Sequence, residues 1–416
     1  MYDKHFEEIL NFINTYDKLI NCHIVDFITD NLWKTCLPNE LRLELERNET
    51  NCNHWTEDDS HPILNQFIKL TKSLSLQSCS TEINSKDLID VLPIISNLNK
   101  HKCEGIKTEF MNVKKSHEVE CLGNIVGTVA ASTKSLVIDA GAGKAYLSTF
   151  LAKTHNVPVL AIDSSQSCHK GAICRQNKLK KKTRDSKNLV QYVVNEINET
   201  TDYIAMINNN FPEWKFDNNL ILTGLHACGS LTHSAIKTFL TTRDIQLLCI
   251  VPCCYHLTDE TLNENINFSK NARMLAQQSI ERSTKKKSMS SSLFYRAVLQ
   301  VILHSMGIYN ARVGRGGPLN DFPSYARWAL LKIGVQSQEI PSSEALESIY
   351  KLHKQLSKQF YMFQMLRIHT SIVLEAAIML DRIMFLQKSN LCSKLAVLRL
   401  FDPVLSPRNY GIMAIK

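Results

Sequence analysis

One stretch constrains the fold more than any other: Leu136-Val-Ile-Asp139-Ala-Gly141-Ala-Gly143-Lys144-Ala145-Tyr146-Leu147-Ser148. An apolar, β-branched run enters a turn with two glycines, and a helical pattern starts at once. Such a strand–turn–helix lets backbone N–H groups and a helix N-terminus approach a ligand closely. Around it, short apolar runs at 136–138, 157–162, 192–194, 220–222 and 247–251 alternate with crossover helices such as 147–155 and 230–240. That alternation predicts an α/β fold with a doubly wound, Rossmann-like, mostly parallel sheet. Its ligand is expected at the carboxyl ends of the strands. Near the C-terminus, Ala396, Leu398 and Leu400 alternate with Val397, Arg399 and Phe401, Pro403 and Pro407 interrupt, and 410–415 resumes. This predicts a closing antiparallel hairpin over about 395–416.

Residues 1–108 read as a helical N-terminal region, with Phe6, Ile9, Leu10 and Ile13 at helical spacing and a polar loop at 48–61. Residues 109–416 then form the sheet domain, with helices at 291–307, 342–360 and 370–387 and a helical insertion at about 308–393.

Known glycine loops narrow the ligand. Tyr146 occupies the third position of the dinucleotide fingerprint. The phosphate loop of nucleotide triphosphatases fails as well, because Ala145 stands where its Ser/Thr should follow Lys144 and no glycine lies five residues before Gly143. Asp139 at the mouth of the turn repels pyrophosphate but suits an ammonium or sulfonium. Asp163 ends the second run, where a carboxylate accepts hydrogen bonds from both ribose hydroxyls. A cationic amino acid joined to a ribose is S-adenosylmethionine. The competing reading is a structural turn with a solvated aspartate.

Composition excludes other classes. Apolar residues make up 44% and charged residues 21%, so wholesale disorder and coiled coil are out. No apolar run is long enough to span a membrane, and MYDKHFEEIL carries acids where a transit peptide needs arginines. Thirteen cysteines, an odd number, read as reduced thiols of a cytoplasmic or nuclear protein.

Several blocks in the order of a known family extend this reading. They are Phe27-Ile-Thr-Asp30-Asn-Leu-Trp33 followed by Leu37-Pro38, Lys114-Lys115-Ser-His117-Glu118-Val119, the glycine loop, Gly224-Leu-His226-Ala-Cys228-Gly229, Cys253-Cys254-Tyr255-His256, Arg273-Met-Leu-Ala-Gln277, and Phe401-Asp-Pro-Val-Leu-Ser406-Pro-Arg408-Asn409. The chain resembles the methyltransferase-like protein 25 family, which includes the ribosomal RNA adenine dimethylase domain-containing protein. It is also distantly similar to a group of transfer-RNA 2′-O-methyltransferases. The resemblance implies a class I S-adenosylmethionine-dependent methyltransferase, with cofactor contacts from Asp139, Gly141, Gly143, Lys144, Asp163, Lys115, His117 and Leu225. On helical spacing alone, Lys114, His117 and Glu118 read first as a solvated, salt-bridged face, and it is the resemblance that raises Lys115 and His117 as contacts. One departure stands out. The family has Gly where this chain has Ala145, and the added methyl is expected to weaken cofactor binding without excluding it.

The fourth strand delivers His226 and Cys228, and the fifth delivers Cys253, Cys254, Tyr255 and His256. Methyl transfer from a sulfonium needs an aligned nucleophile and, where necessary, a base. His226 is the candidate base, with Tyr255 and His256 positioning the substrate; a strand-end histidine bonded to backbone is the alternative. Cys228 or Cys253 is a second candidate, as the nucleophile of a pyrimidine C5-methyltransferase, although paired buried cysteines more often serve as packing. The Cys and His residues are metal-ligating types, but their spacing matches no zinc finger or ribbon, so no metal is expected. The fourth strand lacks the acid–proline–proline–aromatic end of exocyclic-amine enzymes, so adenine dimethylation is not expected.

The net charge is +8, and residues 170–187 concentrate Lys170, Arg175, Lys178, Lys180, Lys181, Lys182, Arg184 and Lys187 against Asp185 alone. Lys285, Lys286 and Lys287 form a second cluster. RNA is therefore the first expected substrate, through its phosphates. A protein substrate and a non-catalytic scaffold are the rival classes, and no membrane partner is expected.

Overall fold

Parallel strands covered on both faces need apolar side chains at nearly every position, and the central runs supply them. The computed structural model describes residues 2–47, 61–79, 82–84, 111–183, 189–213, 219–263, 267–285, 291–314 and 316–416. The strands are β1 (Glu82–Asn84), β2 (Leu136–Ala140), β3 (Val159–Asp163), β4 (Val190–Val194), β5 (Leu220–Cys228), β6 (Ile245–Cys253), β7 (Lys394–Arg399) and β8 (Tyr410–Ile415). They form one sheet in the order β1-β7-β8-β6-β5-β2-β3-β4. Strands β2 to β6 pair in parallel, and β8 runs antiparallel to both β6 and β7. The sheet is the Rossmann-like class I arrangement expected, and its closing hairpin lies where the alternation predicts. The winding reverses between β2 and β5, which places the ligand crevice outside their carboxyl ends.

The helix Val113–Thr133 starts at Asn112, whose side chain accepts the Lys115 N–H. Its Val119, Leu122, Val126 and Val129 repeat at helical spacing and share one buried cluster with Val137, Ile221 and Val251. That packing fixes the helix against β2 and β5.

The chain divides into two units, Met1–Phe6 with Ser75–Ser279 and Glu375–Lys416, and Glu7–Leu74 with Ile280–Leu374. The first holds the sheet. The second is helical, with Phe27 against Phe360 and Phe363, and Arg367 donating to the Cys22 carbonyl at 2.7 Å. This division departs from the boundary read at residue 108. The short strand β1 lies in the stretch read as helical, and it pairs in parallel with β7. The helices read at 342–360 and 370–387 are Ser343–His353 and a continuous Ser357–Lys388, since neither glycine nor proline interrupts 361–369. Among the described residues, no helix is long and apolar enough to cross a membrane.

Candidate functional site

The glycine loop is tied to the two acids that the sequence singles out. Gly143 N–H donates to one carboxylate oxygen of Asp163, and Ser165 N–H donates to the other, both at 2.8 Å. Asp163 thus closes the loop onto the end of β3. Asp139 is 1% exposed and accepts the Ser148 hydroxyl at 2.5 Å. Burial pushes its pKa up to about 6, against the Ser148 hydrogen bond and with help from the Asp163 charge. Gly143 sits at φ +57 with nothing within 4 Å of where a Cβ would stand, so the loop presents bare backbone to open space. An uncrowded glycine between two strand-end carboxylates fits a ligand that joins a cation to a ribose.

Ala145 also has left-handed backbone, at φ 52, yet its methyl is buried in a cluster with Ala161, Ala172 and Val190. The extra carbon packs into the protein interior instead of the open side of the loop. The expected obstruction at this position therefore has no steric basis here. The loop also has a clamp that the sequence reading did not anticipate. Arg175 donates to the carbonyls of Lys144 and Ala145 and to the Thr149 hydroxyl, and its guanidinium lies 4.4 Å from the Tyr146 ring centre. Lys115 Nζ approaches the same ring at 4.4 Å. Lys115 thus lies beside the loop, while Arg175 leaves the solvated basic stretch to which its sequence position assigns it.

At the end of β5 the register slips. Gly224 pairs with Ile250, but Ala227 pairs with Pro252, so Leu225 and His226 together face Val251. This is a β-bulge, a device that re-aims side chains beside active sites. Position 224 must be glycine, because a Cβ there would lie 2.9 Å from the Ala140 carbonyl oxygen. The bulge leaves His226 half-buried, with its carbonyl 3.6 Å from the Cβ position of Gly141.

His226 Nε2 faces a carboxylate oxygen of Glu118 at 3.5 Å, an ion-pair distance rather than a tight hydrogen bond. Glu118 is 2% exposed. It accepts the Ser406 hydroxyl at 2.6 Å and lies 3.6 Å from Lys114 Nζ. Burial opposes its charge, but His226, Ser406 and Lys114 outweigh that and hold the carboxyl below its ordinary value. Helix 113–133, β5 and the 400–409 loop therefore meet at one carboxylate. The sequence put Glu118 on a face with Lys114 and His117 but gave no sign of its partner, 108 residues away in the chain.

Other expected residues take different places. His117 Nε2 accepts the Asp402 N–H at 3.0 Å, and its ring meets Phe401 edge-on, which ties the helix to that loop. Leu225 is packed into the core with Leu122 and Val251. Tyr255, expected to position the substrate, is buried; its hydroxyl donates to Glu375 at 3.0 Å, and Arg382 and Arg408 lie over its ring. It braces the turn from inside. His256 is half-buried and hydrogen-bonded to Gln277 at 2.6 Å. Cys253 is buried, and its hydrogen bonds to Cys228 and Cys254 push its thiol up, while Cys254 is pulled down to about 5 by its own hydrogen bonds to Cys253 and Cys228. At 6% exposure the Cys253 sulfur is poorly placed to meet a substrate base, which weighs against it as an attacking group. Of the basic stretch, Lys170 and Lys178 are exposed on the helix Gln166–Thr183, whereas Arg184, Lys187, Lys286 and Lys287 lie outside the described residues.

The sequence is similar to those of known proteins. Residues 114–261 match the model of a methyltransferase domain family. Along the whole chain the protein is similar to the probable methyltransferase-like protein 25 of Mus musculus, at 25% identity over 100% of this chain and 96% of that protein. The Homo sapiens counterpart is 24% identical over 98% and 96%. Among solved structures, an rRNA methylase from Streptococcus thermophilus aligns at 13% identity and TM-score 0.22, covering 51% of this chain and 91% of that one. The plantazolicin methyltransferase BpumL in complex with SAH aligns at 12% identity and TM-score 0.23, covering 72% and 90%. Scores this low add nothing to the strand order itself. The family resemblance carried by the sequence blocks holds from end to end of the chain.

Proposed function

From a chain that carries a methyltransferase domain and resembles the methyltransferase-like protein 25 family along its length, we propose an S-adenosylmethionine-dependent methyltransferase that acts on an oxygen or nitrogen of RNA. The observation that carries the catalytic reading is the His226–Glu118 pair beside the glycine loop. Asp139, Gly141, Gly143 and Asp163 would hold the cofactor, and Lys115, Lys144 and Arg175 frame the loop with positive charge. When bound, S-adenosylmethionine supplies an electrophilic methyl on a sulfonium.

His226 is the base. With one ring nitrogen committed to Glu118, the other is left to accept the proton of the substrate hydroxyl or amine. The resulting imidazolium is stabilised by the Glu118 carboxylate, which also fixes the ring's direction. Glu118 is thus a positioning residue. RNA as substrate rests on the net charge of +8 and on the exposed Lys170 and Lys178 of the helix that follows β3.

The test is transfer of labelled methyl from S-adenosylmethionine to RNA or to protein, with His226→Ala and Glu118→Gln beside the wild type. Label is expected on RNA, without N6-dimethyladenosine in its digest. Glu118→Gln is expected to lower kcat about 100-fold, with little change in the KM for the cofactor. Label on protein would replace the substrate class. Label on neither, by a chain that binds the cofactor, would leave a scaffold.

A further inference from the structure

Methyl transfer leaves unused the sulfur at the same sheet edge. Cys228 ends β5, Cys253 ends β6, and Cys254 opens the turn that follows. The sheet register sets Cys228 directly beside Cys253. Their Sγ atoms lie 2.9 Å apart, Cys254 Sγ lies 3.4 Å from Cys228 Sγ, and all three fall within 4.8 Å of one another. Among the described residues, no other group of three or more His, Cys, Asp or Glu side chains converges in this way.

Two features make this more than incidental packing. Consecutive residues of a strand point to opposite faces, so Cys253 and Cys254 cannot share one point while the strand continues. They share it because Cys254 adopts φ 49 and ψ 48, left-handed backbone that a residue with a Cβ seldom takes and that gathers at functional sites. The group is also graded in depth. Cys253 is buried, whereas Cys228 and Cys254 are half-buried and reachable from solvent.

We propose that Cys228, Cys253 and Cys254 bind a zinc ion through three thiolates, with the fourth position open at the carboxyl edge of the sheet. Thiolates favour borderline and soft cations over magnesium or calcium. Zn–S bonds of about 2.3 Å in a tetrahedral site set the sulfurs about 3.8 Å apart. The separations of 2.9 and 3.4 Å from Cys228 reach that value by spreading about 1 Å or less. Three protein ligands with one open position are the pattern of sites that hold an exchangeable water or substrate atom, while closed structural sites use four. Each thiol gives its proton to solvent as zinc binds. The ligand spacing resembles no finger or ribbon because the ligands come from neighbouring strands and the turn after one of them, not from one short loop. This inference is independent of the methyl-transfer reading.

The full chain, loaded with zinc and dialysed against metal-free buffer, is expected to retain about one zinc per chain by mass spectrometry. Cys228→Ser and Cys254→Ser are expected to lose it, with at least a tenfold fall in zinc affinity, while Cys392→Ser, outside the cluster, keeps it. Circular dichroism checks that each variant folds. If the variants do not fold, titration of the wild type with cobalt(II) decides, since three thiolates give intense near-ultraviolet charge-transfer absorption. Zinc-free protein with no cobalt absorption overturns the proposal. So does loss of two titratable thiols per chain that a reductant restores, which would make the cluster a disulfide site.

Discussion

A carboxyl group as deeply buried as Asp139 gives up its proton reluctantly, and its pKa of about 6 lies above the ordinary 3.8. The folded chain therefore holds this proton more tightly than the unfolded one. The stability this contributes is complete below pH 3.8 and is lost as the pH rises through about 6. At neutral pH the cost of ionisation is about 3 kcal/mol at most. A ligand ammonium favours the ionised form, so affinity for S-adenosylmethionine is expected to rise from pH 5 to about 6.5 and then level off. Asp139→Asn should weaken binding, abolish that pH dependence and stabilise the chain at pH 7.5. Calorimetry across pH, beside thermal unfolding, checks all three, and a pH-independent wild type would remove Asp139 from the site. Ala145 poses a simpler question of balance. Glycine would relieve left-handed backbone worth about 1 kcal/mol, but would forfeit a buried methyl worth about 0.8 kcal/mol and add freedom to the unfolded chain. Ala145→Gly is expected to change both stability and cofactor affinity by less than about 1 kcal/mol, in denaturant unfolding and calorimetry respectively.

At the scale of elements, the bulge in β5 joins the fold to the chemistry. A Cβ on Gly224 would meet a backbone oxygen of β2, which has no side-chain freedom with which to yield. Gly224→Ala is expected to cost about 1–3 kcal/mol of stability and to lower methyl transfer more than that loss explains, because it disturbs the residues that aim His226. Activity measured well below the melting transition separates the two effects, and full activity in a destabilised variant would show that the bulge has no aiming role. The sheet was legible in the sequence for a physical reason. Strands such as 136–140 and 159–163 are buried on both faces and read as continuous apolar runs, and the closing hairpin is bounded by Pro403 and Pro407 with buried positions in succession at 396–398 and 410–414. Strand β1 is three residues long, too short for either pattern. The bulge was not legible, because Leu225-His226 looks like ordinary strand until its partner is known. Glu118 and Arg175 were hidden in a different way. Each sat in a charged stretch whose usual role is solvation, and only tertiary contact drew one to His226 and the other to the glycine loop.

On the scale of the whole molecule, the excess of positive charge bears on substrate choice through its distribution. The helix 166–183 follows β3, so its start shares the sheet edge with Asp163 and the glycine loop. Lys170 and Lys178 are exposed along it, while Arg175 between them is engaged by the loop carbonyls and Tyr146. A basic count that treats the three alike is therefore misleading. The lysines are available to phosphates, and the arginine is already spent on the loop. Phosphate contacts release counterions, so RNA affinity falls with salt in proportion to the number of contacts, by about 0.7 in the logarithmic slope for each phosphate of a single strand. Replacing Lys170 and Lys178 together by glutamate is expected to weaken RNA binding across sequences and to reduce that slope by about 1.4, leaving S-adenosylmethionine affinity unchanged. Arg175→Ala should do the reverse, weakening cofactor binding at least tenfold while leaving the slope intact. Binding isotherms at several salt concentrations, paired with cofactor calorimetry, distinguish the two. If the lysine substitutions leave RNA binding and its salt slope unchanged, phosphate recognition does not run along this helix, and the case for a protein substrate gains at the expense of RNA.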